Sequence, residues 1–528
     1  MGVIRRTLTD ADQVTQLIRQ GANPSCVMPR LPRVEYALLS LVIDDVTDYT
    51  IPSIWAQAKS NGWLHPVALP RWPSSALQDA VMTALVDGGA DINAAGADRD
   101  ATPIRVAVPA ANMTAVDHLL HRGVQLHGLL AMRLPEWEKA YLTATADCER
   151  QLLAICRRLI QHDSTLAADE YPGGFGLAHS AAIKGGGRFS QSFINQYLDL
   201  LVANGADIRA ADNGRNTPLQ VAACWGSPYV TNWLCRHVPA DDVNRGMPNS
   251  PTSTPLAMAA YRLDSRIRLL EGNGIGEDGK EDIRTTEIPN LKTVICTLLR
   301  AGAAPSIARM PTQEAQRIRQ LVLTEYATVL NGLSDVTMSA INAALAPQRD
   351  HSMLLARLLP LAPHNDGEDP APSPLSVGPH EAEAIGWKIG AFLHEPSAAA
   401  AAIDEYLIGD STLRRRVKAA MAHFVKSAAT RTSSNREVIG DMANVGGVVV
   451  RVPLQCCAVR GRLGGPHRLL GVREVVHKAR LDEAASHGVI GVVKGFNEHP
   501  GDGDCVFEWQ QLGYIHKAIG LFVALGIE

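Results

Sequence analysis

A short motif that recurs with the same neighbours is the feature that most constrains the fold. "GADI" occurs at residues 89–92 and 205–208, and the looser versions "GANPS" and "GAAPS" begin at Gly21 and Gly302. Each copy follows an apolar stretch with helical spacing, such as "VMTALVDGG" or "YLDLLVANG". A fixed motif after each helical stretch is typical of stacked units, whereas a catalytic loop needs to occur only once.

A second motif, Thr-Pro followed by apolar and small residues, recurs in the same chain. It begins at Thr102, Thr217 and Thr254, and a degenerate copy, "GLAHSAAIKG", begins at Gly176. Threonine suits the N-cap of a helix, and proline suits its first turn. Paired alanines let two helices approach closely, and a glycine with positive φ suits the helix end. Such a unit cannot bury its own apolar face, so it is expected to stack on its neighbours.

Together these motifs resemble the ankyrin repeat, whose signature reads roughly "GxTPLHxAAxxGxxxxVxxLLxxGADxN". Residues 205–235 fit the signature best. The interval from Gly89 to Gly123 is close to the ankyrin period of about 33 residues. The resemblance implies a mostly α fold, in which residues 1–345 form an ankyrin-repeat solenoid of helix-turn-helix units.

Some positions depart from the signature. Gln220 and Arg105 stand where the signature has histidine, and Leu263 stands where a glycine normally ends the inner helix. The segment 271–290 is polar and rich in glycine, which predicts a looped insertion within a repeat.

The chain beyond the array divides into three parts by composition. Residues 346–380 are rich in proline and glycine and predict a linker. Residues 381–435 predict two or three amphipathic helices, and residues 436–528 predict a small α+β region or an irregular capping segment. Within the last part, "GGVVVRVPLQCCAVRGRL" predicts a strand or hairpin, and "GVIGVVKGF" also predicts a strand. "VREVVHKARLDEAASHG" and "DCVFEWQQLGYIHKAIGLFVALG" predict helices.

Residue types that are common in phosphate-binding, catalytic and metal sites occur in the chain, but they lack the spacing that is typical of such sites. The glycine-rich stretch 460–471 lacks the P-loop pattern, and "RRRVK" at 414–418 is interpreted as the solvated face of a helix. Cys505 and His516 include the residue types of a nucleophilic pair, but nothing in the sequence places them together. The sequence therefore predicts no catalytic residue, metal site or cofactor. The densest set of metal-ligand types, without zinc-site spacing, is His467, His477, His487, His499, Cys456, Cys457 and Cys505.

Composition limits the class of protein. Aromatic residues make up only 5% of the chain, which favours helices over sandwiches and barrels. The net charge of −4 is too small to indicate a nucleic-acid partner, and no apolar run is long enough to enter a membrane as a span. Nine cysteines without regular spacing predict reduced thiols. The expected location is the cytoplasm, with the nucleus as the alternative.

The resemblance implies a function in recognition. Ankyrin arrays are non-enzymatic surfaces whose turn tips and inner helices form a concave groove that holds another protein. We therefore expect a scaffold or adaptor, with no cofactor and with an oligomeric state that the sequence does not indicate. The predicted contact residues are Arg209, Asp212, Asn213, Arg215 and Asn216 in one turn, Trp225 and Tyr229 beside it, and Asn93, Asp98, Arg99 and Asp100 in the equivalent turn.

Two alternatives stay open at this point. The aromatic residues Trp225, Tyr229 and Trp233 suit either binding or packing between repeats. The C-terminal region 381–528 is alternatively an enzyme or a targeting adaptor that acts on, or docks, clients recruited by the repeats. A converging polar pocket in residues 436–528 would favour the enzyme, and an exposed apolar patch on 381–430 would favour the adaptor.

Overall fold

The computed structural model describes residues 2–359 and 379–527, with several internal gaps. The chain is mostly helical with a few small sheets, as the sequence predicts. It divides into two compact units, of which the first holds Met1–Val238 and Arg245–Thr297 and the second holds Pro239–Asn244 and Leu298–Glu528. The gaps are residues 28–35, 45–54, 58–63, 67–68, 95–101, 136–143, 185–187, 249, 251, 273–275, 311–315, 430–441, 446, 452–453, 462–465, 497–500 and 517–518.

Helices account for most of both units. The helices before residue 238 are α1 Gly2–Arg5, α2 Asp12–Arg19, α3 Leu38–Ile43, α4 Ser75–Asp87, α5 Pro103–Ala107, α6 Met113–His121, α7 Ala146–His162, α8 Leu177–Lys184, α9 Gln191–Ala203, α10 Pro218–Trp225 and α11 Pro228–His237. The later helices are α12 Ala240–Val243, α13 Pro255–Glu271, α14 Glu277–Asp282, α15 Ile288–Arg300, α16 Pro305–Arg309, α17 Gln316–Leu358, α18 Pro379–Phe392, α19 Pro396–Tyr406, α20 Thr412–Ala429 and α21 Val472–His487.

The strands are short and antiparallel. Three two-stranded hairpins pair β1 with β2, β3 with β4, and β5 with β6, and one four-stranded sheet has the order β10-β9-β7-β8. The strands are β1 Trp55–Gln57, β2 Leu64–Pro66, β3 Glu170–Tyr171, β4 Phe175–Gly176, β5 Met442–Val445, β6 Val448–Arg451, β7 Cys457–Val459, β8 Arg468–Leu470, β9 Leu512–Ile515 and β10 Phe522–Ala524.

The glycine of the recurring motif has the same conformation in all four copies. Gly21, Gly89, Gly205 and Gly302 have φ between 96° and 99°, a range that side chains with a Cβ rarely adopt. In each copy the next residue is an alanine, whose N–H donates to the carbonyl of a leucine five residues earlier, at 2.9–3.1 Å. This bond satisfies a carbonyl at the helix end. The prediction that the glycine ends the helix is confirmed.

The Thr-Pro motif begins a helix in each of its three copies. The hydroxyl of Thr217 accepts the N–H of Gln220, and the hydroxyl of Thr254 accepts that of Ala257. Thr102 precedes α5 without such a capping bond in the part of the chain that the structure describes. The predicted cap is therefore present in two of the three motifs.

The missing glycine at Leu263 lengthens the helix that follows Thr254. In the best-matching copy, Gly226 ends α10 with φ of 66°, a left-handed conformation. Leu263 is fully buried within α13, which continues to Glu271. Because no residue there favours a left-handed turn, the helix extends for two further turns.

The segment predicted as a looped insertion, residues 271–290, is mostly helical, so that prediction is wrong. Helix α14 begins at Glu277 and continues through a π-helical turn into α15. Glu277 forms an ion pair with Lys280, one turn further along the helix. Acidic residues in the first turn also stabilise the helix through its dipole. Ile283 is buried and anchors the segment, so packing outweighs the polar composition.

The linker predicted for residues 346–380 starts later than expected, because α17 continues through Pro347 to Leu358. Tertiary contacts explain the extension. α17 packs against α18 and α19, and the buried Gln348 side chain donates to the carbonyl of Ala429 at 3.0 Å. These contacts outweigh the loss of one backbone hydrogen bond at the proline. Residues 360–378 lie outside the described part of the chain.

The boundary expected at residue 345 does not coincide with the division into units, since residues 298–345 belong to the second unit. The reason is the shared core of that unit. Ile341 and neighbouring residues of α17 pack with apolar residues of α19, α20 and α21 and of the four-stranded sheet. The predicted apolar face of α20, including Met421 and Phe424, is buried in the same core.

Two predictions for the C-terminal region are confirmed and two are wrong. Strands β6 and β7 and helix α21 form where the sequence predicts them, and β5, the partner of β6, lies just before the predicted stretch. The stretch 488–496 is not a strand, because its backbone is held by side chains, including that of Asn331, which accepts the N–H of Val493. The predicted helix at 504–526 is instead two short 3-10 turns followed by β9 and β10. Gly513 explains this pairing, because a Cβ there would lie 2.2 Å from the carbonyl of Val523 on the adjacent strand.

Candidate functional site

The turn between α9 and α10, residues 204–216, carries most of the predicted contact residues. The carboxylate of Asp207 accepts the N–H of Arg209 at 2.8 Å, a turn that aspartate favours. Asn23 and Asp91 make the same bond two residues after their own glycines, at 2.9 and 2.8 Å. The start of the turn is therefore the same in three copies of the motif.

Two of the predicted contact residues hold the tip of this turn. The carboxylate of Asp212 accepts the N–H of Asn216 at 2.8 Å, and the carbonyl of Asp212 accepts the N–H of Arg215 at 2.7 Å. Arg215 has φ of 62°, a left-handed conformation that the closed turn imposes. Asp212 and Asn216 are half-buried, so their side chains act first on the turn itself.

The tip of the turn rests on the hairpin turn between β3 and β4. The N–H of Asn213 donates to the carbonyl of Gly173 at 2.7 Å. Gly173 has φ of 120°, and a Cβ there would lie 3.1 Å from the Asn213 amide nitrogen. The positive φ therefore favours glycine at this position. Arg209, Asn213 and Arg215 are the predicted residues of this turn whose side chains are exposed.

A buried histidine fixes the end of the same turn. His179 in α8 donates from Nε2 to the carbonyl of Asn216 at 3.0 Å, and its Nδ1 accepts the N–H of Gly176 at 3.3 Å. Gln220, at the matching position of α10, donates to the carbonyl of Ser253, which directly precedes the next Thr-Pro motif. Both side chains stand at the same place in the motif, directly after the apolar residue that follows Thr-Pro or its degenerate equivalent. This shared position is the signal in the sequence for both bonds.

Because of this geometry, we expect the turn to lose stability in acid. Burial lowers the pKa of His179, and the bond from Gly176 occupies the nitrogen that would take the proton. The unfolded chain then binds more protons than the folded one. The contribution of His179 is complete above pH ~6.5 and is lost as the pH falls through its folded pKa, by at most about 1.4 kcal/mol per pH unit.

Hydrogen exchange of the amides in α8 and in residues 204–216 between pH 7 and pH 5 measures this loss, after correction for intrinsic exchange rates. The matched variant is His179→Gln, since Gln220 already donates from the equivalent position. The variant should lose less protection in acid than the wild type. Equal losses in both proteins would contradict the assignment.

The three aromatic residues near the turn have different environments. Trp225, at the end of α10, is 56% exposed, and Tyr229 is half-buried. Trp233 is only 3% exposed, and its indole N–H donates to the carboxylate of Asp199 at 2.9 Å. Trp225 is thus exposed to solvent, whereas Trp233 packs within the first unit.

In the equivalent turn after Gly89, only part of the predicted set is described. Asn93 is exposed, and its side-chain oxygen accepts the N–H of Gln125 at 2.8 Å. This bond links the turn after Gly89 to the segment that follows α6, so Asn93 has a structural role as well. Asp98, Arg99 and Asp100 lie outside the described residues.

The basic run at 414–418 faces carboxylates. Arg414 and Lys418 both pair with Asp404, at 2.9 and 2.6 Å, and Arg416 lies 3.5 Å from Asp482. These pairs agree with a polar helix face, but Arg414, Arg416 and Lys418 are half-buried, so the face is less solvated than predicted. The paired carboxylates leave the run poorly suited to phosphate groups.

The histidines near the C-terminus have separate partners. His477 is fully buried and contacts Asp502 at 2.8 Å, while His487 lies 3.4 Å from Glu483. The His467 ring stacks on that of Phe522. Cys505 is buried and His516 is exposed, and His499 lies outside the described residues.

A histidine that the sequence does not single out joins the adjacent cysteines. His423, on α20, lies beside Cys456 and Cys457, and one ligand atom from each of the three lies within 4.8 Å of the others. The Nε2 of His423 lies 2.9 Å from the carbonyl of Cys456. His423 is 33 residues upstream, so no spacing motif could have found the cluster.

The cluster shifts the ionisation of its members. The hydrogen bond from the Cys457 thiol, followed by the contact with His423, lowers the pKa of Cys456 below its ordinary value against the opposing effect of burial. The bond to Cys456 and burial raise the pKa of Cys457. Burial alone would lower the pKa of His423, but its contacts with Cys456 outweigh burial and raise that pKa. Cys456, which is half-exposed, is therefore the reactive thiol of the pair.

We expect iodoacetamide to alkylate Cys456 with a pH midpoint below the ordinary thiol value of about 8.5. Cys148 and Cys156, whose pKa values burial raises to about 12, should stay unmodified. Replacing Cys457 by alanine should move the midpoint upward, because it removes the largest stabilising bond to the thiolate. Mass spectrometry of the alkylated peptides measures this. A midpoint for Cys456 near the ordinary value of about 8.5 would contradict the described geometry.

Comparison of the chain with protein-family models and with curated proteins found no match. Within the described parts of the chain, no helix combines the length and the apolar character needed to cross a membrane.

Proposed function

We propose that residues 1–345 form an array of ankyrin type that binds a partner protein along its turns and inner helices. The observation that carries the proposal is the recurrence of one turn geometry at separate places in the chain. The motif glycines share nearly the same φ. The side-chain oxygens of Asn23, Asp91 and Asp207 each accept the N–H of the residue two positions later, at nearly the same distance. Repetition of a turn is characteristic of stacked units that present loops on one side.

The proposed contact surface consists of Arg209, Asn213, Arg215 and Trp225. Their side chains are exposed, while the backbone of the turn is held by Asp212, Asn216 and His179. A rigid backbone lowers the entropy that is lost on binding. Arginine and tryptophan are the residue types most often found at the energetic centre of an interface.

The test is affinity capture with the full-length protein as bait from extracts of its native cells. The variant Arg209→Ala/Asn213→Ala/Arg215→Ala should lose a protein that the wild type retains. The matched control is Arg157→Ala/Gln196→Ala/Arg236→Ala, which removes the same number of charges from exposed positions on helices. The proposal fails if both variants capture the same proteins as the wild type.

The second candidate is a targeting adaptor that docks through residues 381–528. It is favoured by an exposed apolar patch at the end of α18, where Phe392 is 90% exposed and Leu393 and Ile389 are 49% and 39% exposed. A patch of this kind often marks an interaction site. Under this alternative, Phe392→Asp would abolish capture, and the three-residue turn variant would leave capture unchanged.

A further inference from the structure

Three side chains of types that bind metals converge at the start of β7, an inner strand of the four-stranded sheet in the second unit. Cys457 begins β7, Cys456 directly precedes it, and His423 reaches them from α20. Cys457 is buried, whereas His423 and Cys456 are half-exposed, so an ion could reach the cluster from one side. Thiolate and imidazole are the ligands that zinc prefers in proteins.

The distance between the two sulfurs fits one coordination geometry. The Sγ atoms of Cys456 and Cys457 lie 3.8 Å apart. Two thiolates at zinc–sulfur distances of about 2.3 Å and a tetrahedral angle would be separated by about 3.8 Å. Linear coordination would separate them by roughly twice the bond length, about 4.6 Å. The cluster therefore suits a tetrahedral ion without a large rearrangement.

The imidazole is already oriented by its surroundings. The Nε2 of His423 is held by the carbonyl of Cys456, and its ring lies against the ring of Tyr514, with centroids 5.0 Å apart. Contacts of this kind fix the ring orientation of metal-binding histidines.

A carboxylate on α21 adds negative charge to the surroundings of the cluster. Glu474, in the first turn of α21, acts electrostatically on the Cys457 thiol. Its Oε2 is buried and has no hydrogen-bond partner among the described residues. Glu474 is not one of the three converging groups, but its negative charge favours a cation in the cluster over an anion.

We infer that His423, Cys456 and Cys457 form a binding site for a divalent, thiophilic cation of the zinc class. The bound ion would tie α20 to the sheet through bonds from both elements. This inference is independent of partner binding by residues 1–345, because none of its ligands belongs to the proposed contact surface.

The test uses the full-length, reduced protein and Co²⁺ as a spectroscopic substitute for Zn²⁺. One equivalent of Co²⁺ should give tetrahedral bands with thiolate-to-metal charge transfer, and Zn²⁺ should displace it. Cys456→Ser, Cys457→Ser and His423→Asn should each weaken binding by about 100-fold or more. Cys296→Ser, which removes another half-buried thiol, should bind like the wild type.

A second measurement needs no substitution and so does not depend on the folding of a variant. Zn²⁺ should slow the alkylation of Cys456 in the wild type, and a chelator should restore it, while the alkylation of Cys296 stays unchanged. The inference is overturned if saturating Zn²⁺ leaves the alkylation of Cys456 unchanged. It is also overturned if the charge-transfer band survives in both cysteine variants, since the ion would then bind elsewhere.

Discussion

Replacing Gln220 by alanine should lower the local free energy of unfolding around α10 and α13 by about 3 kcal/mol. The side chain is 1% exposed and makes three hydrogen bonds within the first unit. Its amide nitrogen donates to the carbonyls of Arg245 and Ser253 at 3.1 and 3.2 Å, and its oxygen accepts the N–H of Thr217 at 2.8 Å. Each such bond contributes about 1 kcal/mol, and the groups left without partners are partly or fully buried.

Native-state hydrogen exchange of the amides in α10 and α13 is the suitable measurement, because a chain of this length need not unfold in one step. Gln220→His should retain most of the stability, since His179, at the matching position, bonds the carbonyl that precedes the next Thr-Pro motif. The exposed Gln196→Ala serves as the control and should change little. A loss below about 1 kcal/mol for Gln220→Ala would mean that these bonds do not hold α10 to the segment before α13.

Replacing Arg480 by alanine should destabilise the second unit by about 4 kcal/mol. Arg480 is only 1% exposed, and its guanidinium donates to Ser334 Oγ, Asn331 Oδ1 and the carbonyl of Val493 at 3.0, 2.8 and 2.7 Å. Removal leaves these acceptors without their donor and creates a cavity in a packed core. Losses of roughly 3–5 kcal/mol are typical when one member of a buried charged network is removed.

The matched control is Arg468→Ala, because Arg468 also donates to a backbone carbonyl, that of Val506 at 3.1 Å, but is exposed. That variant should lose less than about 1 kcal/mol. Hydrogen exchange in α21 and circular dichroism during urea unfolding measure the two effects. Equal losses for the two variants would show that burial of Arg480 adds nothing to its bonds.

The local signals in the sequence were reliable where one residue type determines the backbone. Gly89 and Gly205 end their helices with positive φ, and Thr217 caps α10. Features that depend on contacts between residues far apart in the sequence could not be predicted from it. The extension of α17 beyond Pro347 rests on contacts with α18 and α19, and the stretch near Val493 is held by Asn331, which lies more than 160 residues upstream.

The same distinction applies to the candidate sites. The sequence predicted that the turn at 204–216 is exposed, but it could not show that Asp212 and Asn216 bond to each other. His423 was missed because its relation to Cys456 exists only once α20 packs against the sheet. Residues that converge through tertiary packing leave no fixed spacing in the sequence.

The most direct measurement of the central proposal is site-specific photocross-linking at the tip of the turn. A photoreactive amino acid would replace Asn213 in the full-length protein, and a second preparation would carry it at the exposed helical position Gln196. The proposal predicts that irradiation in native cells joins a defined protein to position 213, that position 196 does not capture it, and that Arg209→Ala/Arg215→Ala reduces the product. No product at position 213, or the same products at both positions, would contradict the proposal that this turn binds a partner.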